Sequence, residues 1–99
     1  MRLLQATVVL LAALTASAHA NYEKALAAVE RNDSATAFRE FRAAAEAGDV
    51  RAFIQVARAY AVGVGTPVDL GAARRWAEKA AAKGAPDAQF LVYAVIVSM

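Results

Sequence analysis

From residue 22 onward, apolar and small residues return every three or four positions, with polar residues between them. Ala52, Val56 and Tyr60, flanked by Phe53 and Ala57, make one such stripe, and Ala73, Trp76, Ala77, Ala80 and Ala81 make the next. This period marks helices with one buried side. Strand-like alternation is absent, and β-branched residues are scarce before the last few positions. The spacing therefore predicts an all-α chain. Breakers divide it into segments: Arg31 to Asp33 separates a first helix, 22–31, from a second, 34–47, with Asp33 as N-cap. Gly48 ends the second helix in a left-handed conformation, Asp49 caps a third over 50–62, and Gly63 closes that one.

The stretch from Tyr60 to Trp76, YAVGVGTPVDLGAARRW, holds two glycines and a proline and invites comparison with a phosphate-binding loop. A P-loop needs Lys followed by Ser or Thr after its second glycine, and neither is present. A dinucleotide fingerprint needs a third glycine where Val68 stands, and a strand where the pattern predicts a helix. As a helical corner the stretch is complete. Gly63 and Gly65 allow positive backbone angles, Pro67 stiffens the exit, and Asp69 caps a helix beginning near Leu70.

The N-terminus has a different character. MRLLQATVVLLAALTASAHA carries one cation at Arg2, an apolar run from Val8 to Leu14 and small residues ending at Ala20. These are the parts of a secretory signal peptide, with cleavage expected after Ala20 and a periplasmic or secreted product. An uncleaved membrane anchor is the other reading of the same segment, although the apolar run is short for a spanning helix. Cleavage leaves a single small domain over residues 21–99 and removes His19, the one histidine.

That removal narrows the chemistry. Without His or Cys, and with Ser34 and Ser98 as its only serines, the remaining chain has no serine or cysteine triad and no histidine or thiolate metal site. No spacing singles out a pair of carboxylates, and no cofactor motif is present. The formal charge of +2 is scattered rather than gathered in a stripe, which argues against a nucleic-acid surface.

Sliding the chain by 36 residues brings out a repeat. Ala37 meets Ala73, Ala44 and Ala45 meet Ala80 and Ala81, Gly48 meets Gly84, and Ala52 meets Ala88. Small residues thus recur where helix backbones must approach closely. With these positions the chain resembles the Sel-1-like repeats, relatives of the tetratricopeptide repeat. The family pattern falls on Ala52, Ala57, Tyr60, Gly63, Gly65, Asp69, Ala73, Trp76, Ala80, Ala81 and Gly84, giving one full unit at 49–84 with partial units on either side. Phe53 replaces a usual Gln, which returns at Gln89, and Thr66 replaces a usual Val. Beyond Phe90 the pattern is lost.

The resemblance implies a short right-handed solenoid of antiparallel helix hairpins that acts as an interaction scaffold for another envelope or exported protein. Such a stack offers a long surface and no inherent catalytic constellation. Some cysteine-rich relatives are linked to β-lactam binding, so a small ligand-binding or hydrolytic role is the alternative; this chain lacks their cysteines. In that architecture the first helices line the concave side. Arg51, Gln55 and Arg58 share one stripe of the third helix, and the repeat places Asp87, Leu91 and Ala94 beside them as a mixed groove. Arg74 and Glu78 form an exposed pair on the next helix. Trp76, Tyr60, Phe41 and Phe53 are expected in the core.

The closing FLVYAVIVSM is apolar on every side and, at ten residues, too short to span a bilayer as a helix. A terminal repeat needs a polar outer face to stay soluble. Self-association through residues 90–99 is the expectation that follows.

Overall fold

The computed structural model describes the backbone of residues 2–85 and 87–99, with side chains from residue 16 onward. Five helices follow one another: α1 (Arg2–Glu30), α2 (Ser34–Glu46), α3 (Val50–Val62), α4 (Leu70–Ala82) and α5 (Ala88–Ser98), with no strand among the described residues. Each helix packs chiefly on its neighbour in the sequence, with a lesser contact between α3 and α5. Short connections between consecutive helices fold the chain back on itself at every step.

The caps explain where the helices start. Asp33 accepts from the N–H of Thr36, Asp49 from that of Arg51 and Asp69 from that of Ala72. Each satisfies a donor that the first turn leaves unpaired. The ends are equally regular. Asp33, Asp49, Val64 and Ala85 donate their N–H groups to the carbonyls of Ala28, Ala44, Ala59 and Ala80, five residues back in each case. The residue before each donor is left-handed: Asn32 (φ 59°), Gly48 (98°), Gly63 (83°) and Gly84 (75°). This is the closed ending of a helix that a left-handed residue makes possible.

The first helix differs from the sequence expectation of 22–31. It is continuous from Arg2 through the anticipated cleavage point. The physical reason is composition: no Gly or Pro interrupts residues 2–30, and alanine favours the helix. The apolar run Val8–Leu14 lies outside the residues whose side chains are described. Among the described residues no helix is long and apolar enough to cross a membrane. The second helix ends at Glu46, one residue short of the expected limit, with Ala47 as its cap.

Alanine dominates the core. Ala25, Ala28, Ala44, Ala52, Ala73 and Ala80 are wholly buried, while Val56 is the largest fully buried side chain among the described residues. The alanines paired by the 36-residue offset therefore lie on the buried sides of their helices, while its glycines stand in exposed turns. Phe41, Phe53 and Tyr60 fill the gaps they leave. Edge-to-face pairs lock them to neighbouring helices: Tyr22 with Phe41 at 5.4 Å between ring centres, and Phe38 with Tyr60 at 5.1 Å. Trp76 packs against the core at its edge rather than inside it. It is only partly buried, tilted against Phe53 at 5.7 Å, with the Lys79 ammonium 4.6 Å above its ring.

The Tyr60–Trp76 corner is held by backbone. Asp69 donates its N–H to the Tyr60 carbonyl at 2.9 Å, closing the loop at its base. Gly65 presses against the start of α2, where a Cβ on it would collide with the Ser34 carbonyl and come within 2.9 Å of Phe38 Cβ. The corner thus packs on the preceding hairpin as well as joining α3 to α4.

Candidate interaction surface

The residues expected to form one groove divide between three places. Arg51 is engaged at the start of its own helix. Its guanidinium reaches Asp49 Oδ2 at 2.7 Å, lies 4.0 Å over the Tyr22 ring and comes within 3.2 Å of His19 Nδ1. Those hydrogen bonds from Arg51 hold the Asp49 carboxyl below its ordinary value, and the salt bridge in turn raises the guanidinium. The long α1 creates this arrangement by carrying Tyr22 and His19 across the α2–α3 turn. Arg51 is therefore a tie between helices, and its carboxylate partner is already in place.

Gln55 and Arg58 lie farther along α3, in a concavity of about 230 Å³ that they share with Val29 of α1, Ser34, Phe38 and Phe41 of α2, and Ala59, Val62 and Val64. Among the described residues its lining is mostly apolar, contains no acidic side chain, and has Arg58 as its one charged member. Arg58 makes no salt bridge or side-chain hydrogen bond among the described residues. Arg42, Arg51 and Arg74, by contrast, are paired with Glu46, Asp49 and Glu78. The Arg74–Glu78 pair is the exposed one expected from its spacing.

Asp87 and Leu91 belong to neither place. Leu91 is half-buried against the core, whereas Asp87 is exposed at the start of α5. Unlike the aspartates that begin α2, α3 and α4, Asp87 makes no side-chain cap bond. The expected joining of Arg51 and Gln55 to Asp87 and Leu91 is not what the side chains do, because α1 and α2 rather than α5 supply the other wall of the concavity.

The last helix shows a third surface. Ala88 and Val95 turn inward, while Phe90, Tyr93, Ile96, Val97 and Met99 stand in solvent. Phe90 is 75% exposed and Val97 66%, one above the other on the helix face. Val62, Val64 and Val68 at the corner are likewise exposed. Sequence reasoning placed the breakers of that corner but missed its valines and Phe38. The available signal was three valines outside any buried helical stripe.

Of the positions that carry the family resemblance, several are buried small residues or left-handed glycines. Ala52, Ala73 and Ala80 are wholly buried, Ala81 packs against the core, and Gly63, Gly65 and Gly84 are left-handed. No group of three or more potential metal ligands occurs among the described residues. Comparison of the chain with protein-family models, with curated proteins and with solved structures returns no match.

Proposed function

We propose that the chain is an exported helical-repeat scaffold of the Sel-1-like kind, presenting the α3 concavity and the outer face of α5 to another envelope protein without catalysing a reaction itself. The observation that carries this reading is the solvent-facing row of Phe90, Tyr93 and Val97 on a helix with no charged residue. Large apolar side chains gathered on an exposed face are characteristic of interaction sites. The recurrence of alanines and left-handed helix ends supports the solenoid, and the order Arg2, Val8–Leu14, Ala18 to Ala20 supports export.

Site-specific photo-crosslinking in the producing cell tests it. Probes belong at Val62 on the rim of the concavity, at Tyr93 on α5 and at Arg74 as a control face. A discrete adduct to one other protein from Val62 or Tyr93, and none from Arg74, is expected. No heterologous adduct from either site would overturn the reading.

A further inference from the structure

We propose that the chain also recognises a second copy of itself, with Phe90 of one copy seated in the α1–α3 concavity of the next and Asp87 set against Arg58. The two surfaces agree in size, in apolar character and in charge. The concavity is about 230 Å³, apolar through Val29, Phe38, Phe41 and Ala59, and open at a rim where Val62 and Val64 are exposed. An apolar cavity of about 150 Å³ already accepts benzene, so the volume here is sufficient for a phenyl ring. Phe90 is the most exposed aromatic side chain among the described residues.

Charge fixes the choice of occupant. Arg58 stands at the concavity without a carboxylate, and nothing acidic lines it. Asp87 is the helix-starting aspartate that spends its carboxylate on no cap, and it forms no salt bridge among the described residues. Asp87 and Phe90 are three positions apart, so one side of α5 presents an acid and an aromatic ring together. The surface thus lacks a buried apolar anchor with a neighbouring anion, and the same chain displays both. Pairing α5 with α5 of another copy would cover Phe90 but leave Arg58 and the concavity as they are.

The contact joins different surfaces, so a pair of copies can make it twice or a row can make it once at each junction. Either form responds to the same test. The full chain is purified and its mass followed against concentration by sedimentation, for wild type, Arg58→Asp, Asp87→Arg, and an equimolar mixture of the two variants. Wild type is expected to associate, each variant alone to associate roughly tenfold or more weakly, and the mixture to regain association because each copy then meets its opposite charge. Phe90→Ser, a change to a side chain already in water, is expected to weaken association with the helical circular dichroism unchanged. A wild type that stays monomeric, single variants that associate like wild type, or a mixture no better than its components would each overturn the proposal. The assay contains no other protein, so its failure leaves the envelope-partner reading intact, and failure of the crosslinking leaves this contact intact.

Discussion

Gly65 is where one added methyl group meets the most resistance. Its φ of 75° disfavours any L side chain, and a Cβ there would run into the Ser34 carbonyl, which is fixed backbone. Gly48 has a similar φ of 98° but nothing within 4 Å of the added atom. Gly48→Ala is therefore expected to cost about 1 kcal/mol, the conformational penalty alone. Gly65→Ala should cost about 3 kcal/mol or more, since the corner must also move off α2. Urea unfolding of the two variants side by side checks the difference, and equal midpoints would show that the corner does not bear on α2. Asp49 carries a second prediction. Hydrogen bonds from Arg51 favour its carboxylate in the folded state, so its contribution is fully present above the unfolded value near 3.8 and is lost as pH falls through the lower folded value. Asp33, lowered by its hydrogen bonds from Thr36, acts in the same direction. The melting temperature should hold from neutral pH down to about 4 and then fall. Asp49→Asn keeps a cap but removes the charge, and is expected to melt lower at neutral pH with a shallower acid decline. An unchanged acid decline would assign the effect to other carboxylates.

At the level of helices, local rules were enough to read most boundaries. Asp33, Asp49 and Asp69 cap because a carboxylate can reach the free N–H groups of the turn that follows, and Gly48 and Gly63 end helices because a left-handed residue suits them. Both rules concern residues near one another in the chain, so the sequence displays them directly. Asn32 obeys the same rule with a less obvious residue. Distances between helices are not displayed in that way. Helical spacing put Trp76 on the buried side, but the neighbours available to it are Phe53 on one side and Lys79 on the other, and the ring is only partly buried at the edge of the core. A fully buried Trp costs about 3–5 kcal/mol when cut to Ala; Trp76→Ala is expected to cost about 2 kcal/mol. Urea denaturation followed by circular dichroism measures this, and a loss at the upper figure would mean that Trp76 is covered in solution. The concavity was hidden for the same reason: Val29, Phe38 and Val62 come from three helices, and only their packing brings them to one place.

Across the whole molecule, charged and apolar surface are unevenly divided. Arginines 42, 51 and 74 spend their charge on carboxylates of the same chain, which leaves Arg58 to give the concavity its sign. At the other end of the chain α5 is uncharged throughout, with Asp87 just before it. On the two proposals, an envelope partner and a second copy would compete for the same concavity, with mass action setting the outcome. Asp87→Arg separates them: it removes the acid that a second copy needs and leaves the concavity itself unaltered. In the producing cell, with the photoreactive probe at Val62, this variant is expected to lose adducts between copies while the adduct to the other protein persists or grows. Loss of both adducts together would mean that the partner binds either an assembled form or the Asp87 end of α5 itself.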